Sequence, residues 1–141
     1  SRSNDIEVSF DNGASAEWNH ARSITWSYSP AGTDPNVSFG YIGFAATGDT
    51  TINGVSGMDS WGVNRFGDDF ITYYNQPLIS NTYCGLWRFN SGQLVHEVNG
   101  DDYTLTLGVD QNGNAATTNC AYGFEVSWNV GNNSNSAVFS Y

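Results

Sequence analysis

Alternation with a period of two recurs along this chain, and an apolar spacing of three to four residues is sustained nowhere. Ile6, Val8 and Phe10 alternate with Asp5, Glu7 and Ser9, and Ile24, Trp26 and Tyr28 with Ser23, Thr25 and Ser27. Further on, Tyr103, Leu105, Leu107 and Val109 alternate with Thr104, Thr106 and Gly108, and Tyr122, Phe124, Val126, Trp128 and Val130 with Gly123, Glu125, Ser127 and Asn129. Successive side chains on a strand point to opposite faces, so each of these runs predicts a strand with one dry and one wet side. Shorter runs at Val37–Phe44, Phe70–Tyr74, Gln93–Val98 and Val138–Tyr141, with a shorter piece at Thr50–Val55, read the same way. Between them stand turn formers: Asp11-Asn12-Gly13, Pro30, Asn75-Gln76-Pro77, Asn99-Gly100 and Asn112-Gly113. About nine to eleven short antiparallel strands and no helix follow, the pattern of a β-sandwich or jelly roll, with a closed β-barrel as the alternative. The pattern breaks over 14–21 and 57–65, which predicts loops there, while phase places Trp26 and Trp128 in the core.

The two cysteines, Cys84 and Cys120, bracket the Gln93–Val98 and Tyr103–Val109 strands and predict one disulfide tying the ends of a short meander. The 141 residues predict a single all-β domain over 1–141. A disulfide, two glycosylation acceptors at Asn36 and Asn132, the absence of lysine and the missing initiator methionine together predict a secreted protein whose signal peptide has been removed.

Charge narrows the partners. A formal net charge of −10, with 14 acidic residues against four arginines, excludes the counterion-displacing contacts on which nucleic-acid binding rests. No apolar run reaches the length of a membrane-spanning helix. The only histidines, His20 and His96, have Glu17 and Glu97 as candidate co-ligands, but Glu97 adjoins His96 on a strand and points the other way, so no transition-metal site is predicted. Calcium is possible as the one cofactor, at Asp110, Asn112 and Asn114, although these are equally the residues of an ordinary turn. Glu17, Glu97 and Glu125 are the carboxylates that glycoside hydrolysis would draw on, and no nucleophile elbow accompanies the serines.

The aromatic content, 15%, changes the picture most, because it exceeds what a core of this size takes up. Rings that stand among amides, acids and arginine form platforms for sugar C–H faces with hydroxyl partners at their rim. Trp18 with Asn19 and His20, Trp61 with Asn64 and Arg65, then Asp68, Asp69, Tyr73 and Trp87, are the ligand-binding candidates, with Tyr74 and Arg88 alternating against Tyr73 and Trp87. They predict a non-catalytic binder of carbohydrate or glycoprotein, with a homo-oligomer possible because single sugar sites are weak. Two other classes share these features: a secreted elicitor, toxin or inhibitor that anchors on a protein or a membrane lipid, and a small glycan hydrolase or β-barrel isomerase or cyclase.

Overall fold

A computed structural model of the chain describes residues 2–29, 41–85, 88–118 and 120–141. Among these residues ten strands make one antiparallel sheet: β1 (Arg2–Ser9), β2 (Ser15–Ser29), β3 (Tyr41–Gly48), β4 (Thr50–Ile52), β5 (Val55–Val63), β6 (Asp69–Asn81), β7 (Phe89–Val98), β8 (Asp101–Val109), β9 (Gly123–Val130) and β10 (Asn133–Ser140). Among the described residues there is no helix. The prediction of an all-β chain holds, and so does the disulfide, which joins Cys84 to Cys120 across 36 residues.

The order across the sheet is β10-β9-β8-β7-β6-β3-β2, with β1 on β2, and β5 pairs with both β2 and β6. Because β7 runs along one edge of β6, β5 and β3 both pair with the other edge and follow each other end to end between β6 and β2. The circuit β2-β3-β6-β5 is thereby closed, a four-strand barrel in its connectivity. Where β3 meets β5, a Cβ on Gly48 would sit 2.1 Å from the Gly57 carbonyl oxygen, so only glycine lets the two strand ends abut. The β7–β8 hairpin turns on Asn99 and Gly100 at φ 52° and 82°, the left-handed pair that a two-residue hairpin requires. Asn112-Gly113, by contrast, lies in a longer connection between β8 and β9.

Two expectations about local structure are overturned. β2 runs unbroken through 15–29, so Trp18 lies on a strand rather than in a loop, and Trp61 lies on β5. The polar residues that disguised β2 (Glu17, Asn19, His20) are tolerated because both of its faces are partly wet. Trp26, assigned to the core by its phase, is 67% exposed. Alternation fixes which residues share a face; it does not fix whether anything packs on that face.

The register propagates two unlike faces across the whole sheet. One row reads Asn19–Trp61–Ile71–Glu97–Asp102–Asn129–Ser134, each residue directly opposite the next. On the other side the corresponding row is Asn4–His20–Ser60–Thr72–His96–Tyr103–Trp128–Asn135. The first face carries Asp5, Glu7, Glu17, Asp69, Glu97, Asp102 and Glu125; the second carries Leu94, Val98, Leu105, Leu107, Phe124, Val126 and Phe139. Ile6, Val8, Trp18, Ile24, Trp26, Tyr28, Ile42, Tyr103 and Phe139, all on the second face, stay exposed. The fully buried large side chains among the described residues are Met58 and Val109, a small core for a chain of this length. Strands pack edge to edge, and a second layer, as a sandwich would have, is not among the described residues.

Candidate functional site

On the polar face the middle strands bring together what a sugar site needs. Trp61 on β5 stands between Asn19 on β2 and Ile71 on β6. Tyr73 is the next residue of β6 on that face, and its hydroxyl donates to Glu97 Oε1 at 2.8 Å. Glu97 in turn lies opposite Asp102, because the β7–β8 hairpin turns between them. Burial of the ring and the negative charge of Glu97 and Asp102 push the Tyr73 phenol up to about 12, so it remains a hydrogen-bond donor at neutral pH. Asn19 Nδ2 donates to Glu17 Oε1 at 2.8 Å and holds the amide in place beside the indole.

Two open hollows continue this arrangement, meeting at Asp102. One, of about 450 Å³, is lined by Asp69, Ile71, Glu97 and Asp102, and the other, of about 540 Å³, by Thr104, Ser127, Asn129, Ser134 and Ser136 as well as Asp102. Together they form a shallow trough along β6–β10, in which hydroxyl, amide and carboxylate groups stand beside Phe70, Val98 and Trp128; Trp61 and Tyr73 lie next to it and line neither hollow.

The predicted residues separate on this geometry. Asn19, Trp61, Asp69 and Tyr73 share the polar face; Trp18 and His20 are on the opposite one, because neighbours on a strand point apart. Asn64 is taken up by its own turn, accepting the Phe66 and Asp68 backbone N–H groups at 2.8 and 3.0 Å and donating to Asp68 Oδ2 at 3.2 Å. Arg65 lies over the exposed ring of Phe66 at the tip of that turn, away from Trp61's partners. Trp87 lies outside the described residues, as does the acceptor Asn36, while Asn132 is exposed in the β9–β10 turn. Glu17, Glu97 and Glu125 are all on the polar face but on three different strands, and the carboxylate opposite Glu97 is Asp102. That pairing was readable from the sequence: with Asn99-Gly100 as the two turn residues, counting back from the turn sets 97 against 102.

Asp110, Asn112 and Asn114 also form a turn, Asp110 Oδ1 accepting the Asn112 and Asn114 backbone N–H groups at 2.8 and 3.0 Å. These two bonds hold the Asp110 carboxyl below its ordinary range. Among the described residues no three His, Cys, Asp or Glu side chains gather in a way that would hold a metal ion.

The apolar face has its own polar core. Arg22 Nε and Nη2 donate to the two carboxylate oxygens of Asp59 at 2.7 and 3.1 Å, and His20 Nδ1 is 3.8 Å from Asp59 Oδ2. A bulge in β5 between Met58 and Ser60 turns Asp59 toward this side. The bond to Asp59 raises the Arg22 guanidinium further, and burial, with Asp59 beside it, holds the Tyr74 phenol well above its usual range. Thr72 Oγ1 and His96 Nδ1 share a 2.8 Å hydrogen bond, and burial lowers the imidazole, which favours its neutral form. Every one of these groups therefore has a protein partner.

No protein-family model, curated protein or solved structure matches the chain. Its disulfide is compatible with an extracellular protein, and no helix among the described residues is long and apolar enough to cross a membrane.

Proposed function

We propose that the protein is a secreted, non-catalytic carbohydrate-binding protein whose site is the polar face of the sheet from Trp61 and Tyr73 to the trough beside them. The observation that carries this reading is that Trp61 and Tyr73 rise from the same face, among Asn19, Glu97 and Asp102. The indole supplies a flat apolar platform for a pyranose ring. The amide and carboxylates accept and donate to its hydroxyls, and Tyr73, held protonated, orients Glu97 as an acceptor. An extended trough suits a chain of sugars better than a single residue. The acidic surroundings favour neutral or basic glycans over sulfated or uronic ones, which seven carboxylates on this face would repel.

A glycan array followed by calorimetry on the best ligand tests the reading. Trp61→Ala is expected to abolish binding, while Glu97→Gln weakens it about tenfold through the loss of one charged hydrogen bond. A blank array, or affinity untouched by both changes, would overturn it.

One observation favours a hydrolase as the second reading. Directly opposed strand residues have Cβ atoms about 5 Å apart, so Glu97 and Asp102 project side by side from one face, as two carboxylates acting on one glycosidic bond must. Release of reducing ends from the bound glycan, lost in Glu97→Gln, would establish it; binding without turnover would exclude it.

A further inference from the structure

We infer that the apolar face of the sheet is the contact surface for a second copy of this chain, so that two sheets stack face to face and the sandwich expected from the sequence is built between two molecules. The accessible surface is 9056 Å², whereas size scaling gives about 7,100 Å² for a folded monomer of this mass. Buried by two chains against each other, a surplus of about 1,900 Å² each amounts to about 3,800 Å² in total, within the range of permanent homodimer interfaces. Its location matches: the strand lanes from β1 to β10 present one apolar side, and Trp26 and Tyr28 are 67% and 69% exposed on it. Indoles and phenols left in water on this scale mark a contact surface.

Charge selects a second copy as the occupant. A molecule of net charge −10 repels its own kind wherever acids meet, but the strand carboxylates sit on the other face. On the apolar face Asp59 is neutralised by Arg22, and Asp101 Oδ1 accepts the Gly131 N–H at 2.9 Å. Thr72 and His96, in the middle of this face, are joined by their own hydrogen bond, so closing the face against an equal one strands neither of them, nor Asp59, Arg22 or Asp101. Two such sheets meet about 10 Å apart with their side chains interdigitated, related by a two-fold axis that lets one surface pair with itself. Both polar troughs then face outward in opposite directions, which would make the assembly bivalent. The inference does not depend on what the trough binds.

Sedimentation velocity on the disulfide-intact protein, over about 1 to 100 µM, tests it at concentrations where interfaces of this size associate. The expected species has twice the 15.3 kDa chain mass. Tyr103→Glu and Phe139→Glu, at positions already 37% and 48% exposed within one chain, leave the fold without a new buried charge and are expected to raise the dimer dissociation constant at least about tenfold. Thr104→Glu, next to Tyr103 on the opposite face, is expected to leave it unchanged. A wild-type chain that stays monomeric throughout overturns the inference, whether its indoles are shielded by the chain itself or engaged by phosphatidylcholine vesicles in a flotation assay. So does a dimer that Thr104→Glu disrupts as strongly as Tyr103→Glu. Glycan binding retained by Tyr103→Glu would separate the two surfaces and keep this test distinct from that of the trough.

Discussion

The two faces of the sheet are made by the same strands, in the same register, from adjacent residues, yet they solve opposite problems. On the polar face Asn19, Trp61, Glu97 and Asp102, each half-buried, set an indole among amide and carboxylate groups. On the apolar face His20, Thr72, His96 and Tyr103 sit in the matching row; Thr72 and His96 are hydrogen-bonded to each other and His20 lies beside Asp59, while rings and branched side chains surround them. The difference shows how polarity should be read on a strand. A carboxylate or amide with acceptor or donor capacity left over after its protein bond, as Glu97 and Asn19 have, is available to a ligand, and a group whose capacity is used within the protein is prepared for burial.

The largest expected effect bears on both faces together. Replacing Cys84 and Cys120 with serine opens a loop of 36 residues and is expected to cost about 3 to 4 kcal/mol in the chain-entropy account, read as a lower urea midpoint. It frees the end of the sheet where the 110–122 connection returns to β9, and it leaves the Trp61 region intact.

Next in size is a change confined to the apolar face. Asp59→Ala leaves Arg22 beside a low-dielectric wall without its counter-charge. The expected loss is about 2 to 3 kcal/mol, less than for a fully buried pair because the Arg22 side chain is 39% exposed. Arg22→Met combined with Asp59→Leu should recover most of that loss, since the pair's own net contribution is small.

Titration adds a signature at each end of the pH range, from His96 at the acid end and from Tyr73 on the polar face and Tyr74 on the apolar face at the alkaline end. Burial lowers the His96 pKa in the folded protein below its unfolded value, so the unfolded chain binds the extra proton first. The His96 contribution is fully present above about pH 6.5 and is lost as pH falls through the folded value. Tyr73 runs the other way. Its folded pKa is raised to about 12, so its contribution is complete below about pH 10 and is lost between there and about pH 12, as the unfolded phenol ionises first. Urea midpoints measured across pH should fall at both ends. His96→Gln should reduce the acid limb alone, and Tyr73→Phe should reduce the alkaline limb alone without abolishing it, since Tyr74 still contributes there.

The smallest effect belongs to neither face. Arg65 rides over Phe66 at an exposed turn, so Arg65→Ala should change stability by no more than about 0.5 kcal/mol and leave glycan affinity unchanged.

Much of this fold was legible in the order of residues. Strict alternation found β1, β8 and β9, and Asn99-Gly100 gave a turn; the Glu97–Asp102 pairing, which counting outward from that turn yields, was missed. β2 was only half legible: a strand whose two faces both carry polar groups loses the contrast that alternation depends on, so Glu17 to His20 resembled a loop. The site suffered from the same cause. Trp18 and Trp61 had equal standing among polar neighbours, and only the pairing of Trp18 with Ile6 and of Trp61 with Asn19 and Ile71 shows that they belong to opposite sides. Trp26 failed differently, since its phase was read correctly and its burial was not, because burial depends on a second layer that no local pattern specifies.

The account therefore turns on which tryptophan meets sugar, and calorimetry with a glycan selected on the wild-type protein decides it. Trp61→Ala should remove binding and Trp18→Ala should leave the affinity within about twofold of wild type. Loss of binding in Trp18→Ala with Trp61→Ala unaffected would contradict the assignment of the two faces.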